Sequence, residues 1–385
     1  MSDRNYRLGD VCHISTGQSA PQDAGAFGST GHPFVRAGSL ERLVNGGSEQ
    51  ALELVAPEKA TQYRLRLFPA GTIVFAKSGM SAKLGRVHML STSCYVVSHL
   101  ATVEPSSAVH GRWLLHWFRK NSPTSLIAND AYPSIRTSEI EALEVALPEL
   151  REQQRIAAIL DKVDSLRRKR QEAIRLADDF LSAMFIEMFG APGYASQSLP
   201  TQPLGAVCRF YAGNGLPEGE PFAGQLDGVL HIKVGDMNLP GNELVVSTSR
   251  EWSTNGAGGI IAPQGAILIP KRGGAIATNK KRVLGRPCAL DPNLMAISPG
   301  PDLRQDLLFQ WFKLFDLSTI TSGSAVPQLN KGDLAPLRIV VPPLDQQDRF
   351  VAMAQRVASI INRQGIQLGD IESACRALTD ELLAA

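Results

Sequence analysis

The chain is written twice, and any fold it adopts has to accommodate that repeat. LPELREQQRIAAIL at 147–160 returns as VPPLDQQDRFVAMA at 341–354. RLGDVCHISTG at 7–17 returns as PLGAVCRFYAG at 203–213, which lays Leu8, Gly9, Val11, Cys12 and Gly17 over Leu204, Gly205, Val207, Cys208 and Gly213. FPAGTIVFAKSG at 68–79 matches APQGAILIPKRG at 262–273, with Gly71 on Gly265, Lys77 on Lys271 and Gly79 on Gly273. Further on, SCYVVSHLATVEP matches PCALDPNLMAISP, and LLHWFRK matches LFQWFKL with Trp117 over Trp311. The offset stays near 194, and residues 131–160 laid without a gap on 325–354 hold 8 identities in 30 positions. So many matches in one order mark a duplication and imply two similar halves.

Each half joins a globular part to a long helical one. Short apolar runs such as GTIVFA, YVVSHLATV, GAILIP and LRIVVP, bounded by Gly, Pro and Ser, read as strands. GRWLLHWFRK and DLLFQWFKLF carry helical spacing. The fold class is therefore α+β. After Pro148 and Pro342 the pattern changes: no Pro or Gly interrupts 149–189, and Glu149 and Glu152 sit where a helix N-terminus favours acid. A long helix follows in each half. Seven-residue steps run through Ile156, Val163, Arg170, Ala177 and Met184, with a companion line Ile159, Leu166, Ala173 and Phe180. The second helix repeats them as Phe350, Val357, Gln364, Ile371 and Leu378 with Met353, Ile360, Gln367 and Ala374, and Gly365 and Gly369 weaken it. Paired seams call for a coiled-coil partner, and each helix is the other's nearest candidate. The expected divisions are 1–148, a helix over 149–189, a linker over 190–203 rich in Gly, Pro and Ser, 204–342, and a second helix over 343–385. At about 1.5 Å per residue each helix runs on the order of 60 Å, long enough to hold two globular parts apart.

The totals set limits on function. A chain of 385 residues exceeds an ordinary single core. Its 39 Lys and Arg against 37 Asp and Glu give a net charge of +2, so any affinity for nucleic acid has to come from local patches. No run has the length of a membrane span and the N-terminus lacks a signal-peptide core, so the expected location is the cytoplasm. Cys12, Cys94, Cys208, Cys288 and Cys375 form no CxxC pair and read as small buried hydrophobes rather than disulfides or zinc ligands.

A globular part, a long helix, a second globular part and a second helix, with a P-x-L-x-x-Q helix opening at Pro148, Leu150 and Gln153 and again at Pro342, Leu344 and Gln347, resembles the DNA specificity subunit of type I restriction-modification systems. The resemblance covers essentially the whole chain. The usual Glu before Gln is kept at Glu152 and replaced by Gln346 in the second copy. The resemblance implies two target recognition domains separated by two long antiparallel coiled-coil helices, each domain reading half of a bipartite site in double-stranded DNA. It implies modification methyltransferase subunits using S-adenosylmethionine and a restriction/translocase subunit using ATP and Mg as partners, with no cofactor in this chain. Two copies of reader and spacer related by a pseudo-two-fold suit a split duplex site.

Such a reader needs phosphate contacts for position and base-edge contacts for identity. Both halves offer a basic loop at the same place: AKSGMSAKLGRV, with Lys77, Lys83 and Arg86, and PKRGGAIATNKKRV, with Lys271, Arg272, Asn279, Lys280, Lys281 and Arg282. Lys77 and Lys271 stand out because both end matching strands beside a glycine. Arg36 in FVRAGSL and Lys233 in LHIKVGDM mark a second loop, where an ordinary surface charge is an equal reading. Tyr132, Ser134 and Arg136, and Gln328, Asn330 and Lys331, flank the last strands and fit base or backbone contact. The basic run LRRKRQ at 166–171 reads as a solvated or docking face of its helix, and Trp113, Trp117, Trp252 and Trp311 as core anchors.

Catalytic motifs are missing from the sequence: there is no G-x-x-x-x-G-K-[ST], H-E-x-x-H or G-x-S-x-G, and GAGGII at 256–261 fails the dinucleotide fingerprint at its last position. DPNL at 291–294 does not supply the aromatic Pro-Pro motif of adenine methyltransferases. The expectation is a non-catalytic subunit. A scaffold that kept the duplicated shape without reading DNA, and a specificity subunit of a related methyltransferase-nuclease, stay open on the sequence alone.

Overall fold

Alternate side chains of a strand point to opposite faces, so a strand apolar throughout needs a layer on each side. Ile73–Ala76 is such a strand: Ile73 and Phe75 enter a core with Trp113, Leu114 and Phe118, while Val74 and Ala76 enter another with Phe34, Val96 and Leu100. Its repeat, Ile267–Pro270, sends Ile267 and Ile269 toward Trp311 and Phe312, and Leu268 toward Leu230, Cys288 and Leu290. Each half is therefore layered helix on sheet on sheet.

In the computed structural model, which describes residues 4–193, 199–255, 259–321 and 326–383, the chain forms two compact units, Met1–Arg170 with Ile366–Ala385, and Gln171–Gly365. In the first unit an antiparallel sheet runs in the order Cys12–Thr16, Leu100–Pro105, Ile73–Ala76, Val87–Met89. A second sheet runs Leu54–Val55, His32–Val35, Cys94–Val96, Leu67–Phe68, with the middle pair parallel. Helix α1, Gly111–Lys120, covers the outer face of the first sheet. The second unit repeats the plan with Cys208–Ala212, Leu294–Pro299, Ile267–Pro270, Arg282–Leu284 and Val245–Val246 in one sheet. Val229–Ile232 and Cys288–Leu290 pair in parallel at the centre of the other.

The two long helices are α2, Leu150–Phe189, and α4, Leu344–Leu382, with α3, Gln305–Leu314, the second unit's counterpart of α1. In the first unit Ile156, Ala157 and Leu160, near the start of α2, share a core with Leu378, Leu382 and Leu383 at the end of α4. In the second unit Phe185 and Phe189, near the end of α2, pack on Phe350 near the start of α4, with ring centroids 5.6 Å apart in both pairs. Start meets end in both units, so the helices are antiparallel.

Burial follows the main expected seam but not its companion. Ile156 through Met184 and Phe350 through Leu378 are buried or half-buried at every seven-residue step, yet Leu166, Phe180, Ile360 and Ala374 are exposed. The companion line lies one residue on, through Leu160, Arg167, Ile174, Leu181 and Met188 and through Ala354, Ile361, Leu368, Cys375 and Leu382. The globular layer decides this rotation. Arg112 on α1 donates to Asp161 through Nε (2.9 Å) and Nη2 (2.5 Å), His116 Nε2 lies 2.8 Å from the same carboxylate, and Arg119 pairs with Asp164 at 2.6 Å. Burial draws the His116 pKa down against the pull of Asp161. In the second unit α3 instead reaches the far end of α2, where Gln310 Nε2 donates to Ser182 Oγ (3.1 Å) and Lys313 pairs with Asp178.

The glutamine of each helix opening is completely buried. Gln153 Oε1 accepts from the His110 N–H (2.7 Å) at the start of α1, and its Nε2 donates to the Pro148 (2.8 Å) and Ala108 (3.1 Å) carbonyls. Gln347 does the same with the Arg304 N–H and the Pro342 and Asp302 carbonyls, each at 2.8 Å. One amide thus ties the long helix, its Pro-bearing approach and the short helix together, using both its donor and acceptor ends.

Of the expected linker, residues 194–198 lie outside the described residues, while Thr201–Pro203 is a short strand paired with Arg338–Val340. GAGGII at 256–261 also lies in part outside them. Trp113, Trp117 and Trp311 are buried and Trp252 half-buried; four cysteines are buried and Cys375 half-buried. No helix among the described residues is long and apolar enough to cross a membrane.

Candidate nucleic-acid interface

The two basic loops are built on one backbone plan. Lys77 leaves the strand Ile73–Ala76 with its N–H on the His99 carbonyl (2.9 Å), its own carbonyl accepts from the Ile135 N–H (2.8 Å), and the Gly79 N–H donates to Pro133 (3.0 Å). Lys271 repeats this with Asn293, Leu329 and, through Gly273, Pro327, each at 2.8 Å. Gly79 and Gly273 have φ of 73° and 71°, a region an L side chain disfavours. Each loop then makes a short 3-10 helix, Met80–Leu84 or Gly273–Thr278, and leaves it through a left-handed residue, Gly85 at φ 58° or Asn279 at φ 51°.

This frame sorts the expected contact residues. Among the described residues, Lys77 and Lys271, both half-buried, and Arg272, exposed, have no side-chain partner. Lys83 pairs with Asp130 (3.1 Å) and Arg86 with Glu41 (3.2 Å). Exposed pairs of this kind are worth only about 0–1 kcal/mol and can be exchanged for phosphate.

Asn279 is committed to structure: it occupies Gly85's place in the plan, tolerates the left-handed conformation as asparagine does, and its Oδ1 accepts from the Leu317 N–H (3.0 Å) and from Lys281 Nζ (2.6 Å). Lys281 is buried and also donates to the Phe315 carbonyl (2.6 Å); burial draws its pKa down to about 8, against Asp316. Lys280 donates to Asn238 Oδ1, and half-buried Arg282 donates from Nη1 to the Lys281 carbonyl (2.9 Å). Burial lowers the Arg282 pKa, with Glu243 opposing. These last four positions are thus drawn into the wall of the second unit, and among the described residues of this loop Lys271 and Arg272 are the cations without a side-chain partner.

The second expected loop is charge-paired. Arg36 lies 2.9 Å from Glu53 and over the Phe27 and Phe34 rings at 4.9 and 5.1 Å, and Lys233 lies 2.5 Å from Glu251. The Glu251 hydrogen bond holds the Lys233 pKa up, and the same bond holds Glu251 down. Near the basic loops, Tyr132, Ser134 and Arg136 are exposed, with Ser78 and Ser134 bridging the two chain segments. In the second unit Arg272 bridges to Gln328, Gln328 Nε2 donates to Asn330 Oδ1 (3.0 Å), and Lys331 lies 5.9 Å from the Phe210 ring.

Sequence reading passed over Met80 and Leu84, which are exposed on the first loop. The available signal was apolar residues inside a run of Gly, Ser and Lys with no strand or helix period to bury them. Among the described residues no group of three or more His, Cys, Asp or Glu side chains is placed to hold a metal ion.

Residues 4–176 match the family described as the type I restriction modification DNA specificity domain. A stretch of 146 residues is 28% identical to the type I restriction enzyme MjaIX specificity subunit of Methanocaldococcus jannaschii, covering 37% of this chain and 33% of that protein. The matched stretch therefore spans about a third of that relative. Over 99% of its length the chain shares a fold with a chain from a structure on complex assembly and conformational transition of the type I R-M system, with 97% of that chain covered, a TM-score of 0.54 and 20% identity. It also shares a fold with the S subunit of a type I restriction-modification system from M. genitalium, at 99% and 96% coverage, a TM-score of 0.55 and 12% identity. With the repeat, the antiparallel helices and the paired basic loops already in place, residues 4–176 match the type I restriction modification DNA specificity domain, and the chain as a whole shares the fold of the type I S subunit.

Proposed function

We propose that the chain reads a bipartite target in double-stranded DNA, one half with each unit, and directs modification methyltransferase subunits and a restriction/translocase subunit to it in the cytoplasm. In this reading residues 1–148 and 204–342 are the target recognition domains, and 149–189 and 343–385 the spacer helices. The chain supplies no chemistry of its own. S-adenosylmethionine belongs to the methyltransferase subunits, and ATP and Mg to the restriction subunit.

The observation that carries the reading is the recurrence, on one backbone plan, of a lysine without a side-chain partner at the mouth of a glycine-hinged loop, Lys77 and Lys271. A lone cation of this kind is ready to meet a phosphate without first breaking an ion pair. Lys83, Arg86 and Arg272 extend the positive edge, while Arg36 and Lys233 hold the neighbouring loops through their ion pairs.

Exchanging residues 1–147 for the corresponding part of a relative with another target tests this. Methylation profiling of cells carrying the chimaera should show one half of the recognised sequence changed and the other kept. A change in both halves together would refute independent reading.

A further inference from the structure

The first basic loop and the segment beside it expose a methionine, a leucine and a tyrosine, where the matching positions of the second unit expose one apolar side chain, Val326. Met80, Leu84 and Tyr132 are 68%, 55% and 82% exposed. They lie on two chain segments held side by side by the Gly79 N–H to Pro133 carbonyl bond (3.0 Å) and the Lys83–Asp130 ion pair (3.1 Å). Tyr132 does not sit on a loose end: Asn129 Oδ1 accepts from the Ala131 N–H at 2.9 Å and the Tyr132 N–H at 3.4 Å, fixing the turn that carries it.

The second unit shows that the fold does not require these residues. On the same frame, with Gly273 bonded to Pro327 and Asn279 in Gly85's place, the matching positions are Gly274, Thr278 and Val326. A large apolar side chain kept in water forgoes its burial, so a clustered set has a use outside the folded monomer. What covers it is indicated by its charge surroundings. Lys77 at the mouth, Lys83 within the loop and exposed Arg136 beyond it suit a polyanion.

We propose that Tyr132, flanked by Met80 and Leu84, enters a partly opened base step in the half of the target read by the first unit, and that the second unit reads its half without such a wedge. The proposal rests on the DNA-reading function above and adds a mechanism to one half of it. Cations draw the phosphates in, the fixed turn presents the ring, and apolar side chains replace the stacking lost when the step opens. The two halves of one target are then read by different physics, the first through deformation of the duplex and the second through polar and backbone contacts.

The test uses the full chain with its modification subunits, and duplexes carrying the motif that methylation profiling defines. 2-Aminopurine replaces each purine in turn in both halves. Emission should rise severalfold at one step of the first half only. Tyr132→Ala should abolish that rise and weaken binding about 5- to 150-fold, the range for losing one base–aromatic stack, with the salt slope unchanged. Tyr132→Phe should keep both the rise and the affinity. Wild-type complex that binds the duplex with no rise anywhere in the first half overturns the wedge and leaves DNA reading standing. Loss of assembly with the modification subunits in the absence of DNA, caused by Tyr132→Ala, also overturns it, by making the patch a protein contact. A duplex that wild type does not bind at all overturns DNA reading itself, and the wedge with it.

Discussion

Replacing Gln153 by Leu isolates what the helix-opening motif does. The side chain is completely buried and uses Oε1 on the His110 N–H and Nε2 on the Ala108 and Pro148 carbonyls. Leucine keeps most of the volume and removes all of the hydrogen bonds. A buried donor left without an acceptor costs about 1–3 kcal/mol, and each carbonyl that loses its partner about 1 kcal/mol more, so the change should destabilise the first unit by about 3–5 kcal/mol. That is a large part of the roughly 5–15 kcal/mol that holds a typical domain together.

Hydrogen exchange reads the two units separately. Amides of the first unit that exchange only by whole-unit opening should speed up at least about 150-fold for a loss of 3 kcal/mol, and the His110 amide, just before α1, should lose its protection. Gln347→Leu should do the same in the second unit through Arg304, Asp302 and Pro342, leaving the first untouched. If both variants cost under about 0.5 kcal/mol, the range of ordinary surface substitutions, the glutamines are not satisfying these backbone groups and the account of the motif fails.

Lys77→Ala and Lys271→Ala should each weaken DNA binding equally on specific and unrelated duplexes and lower the slope of log K against log salt by about 0.9 per lost phosphate contact; unchanged slopes for both would make these lysines ordinary surface charges. Glu49 is buried, which raises its pKa, yet bonds from His88, Ser91 and Thr92 outweigh burial and bring it to about 2. Its folded pKa lies below the ordinary 4.5, so it stabilises above that pH and the benefit is lost as pH falls through about 2. Glu49→Gln should cost up to about 3 kcal/mol at neutral pH, and urea unfolding should show wild type and variant converging in acid. Lys281 runs the other way: with a folded pKa of about 8 against 10.5, its buried charge is a penalty at neutral pH that is relieved between those two values. Wild type should therefore gain stability relative to Lys281→Met as pH rises from 8 toward 10.5, and parallel pH profiles would show that the amine does not titrate in place.

The parts of this molecule legible in sequence are those where a residue type has one physical use. Short apolar runs such as TIVFA and AILIP, bounded by Gly and Pro, read as strands, while the three layers that their two apolar faces enter became visible only in the structure. The P-x-L-x-x-Q openings marked the start of both long helices, although a buried amide bonded three ways could not be read from spacing alone. Residues with several uses were harder. Asn279, Lys280, Lys281 and Arg282 look like a DNA-facing run, but all four bond within the second unit, where Asn279 fills a left-handed position that glycine holds in the first. The companion seam of the long helices missed by one residue for a related reason. Steps of three and four from Ile156 are equally apolar, and the choice between Ile159 and Leu160 is made by ion pairs to α1, at Asp161 and Asp164, that lie far away in sequence.

The duplication itself separates frame from tip. Where the two copies agree, as in the glycine-hinged strand ends and the buried glutamines, the shared residue has a backbone group to satisfy or a conformation to permit, and the fold would demand it whatever the target. Where they differ at matching positions of the shared loop plan, as at Met80 and Gly274, Leu84 and Thr278, Tyr132 and Val326, the fold makes no demand. The bipartite reading proposed above needs that division, since each half can change its contacts without disturbing the helix-opening joint that anchors it. Tip substitutions in either copy should then alter DNA preference at little cost in stability, and frame substitutions should do the reverse. A tip variant such as Leu84→Thr that unfolds the first unit, measured by the same amide exchange, would break the division.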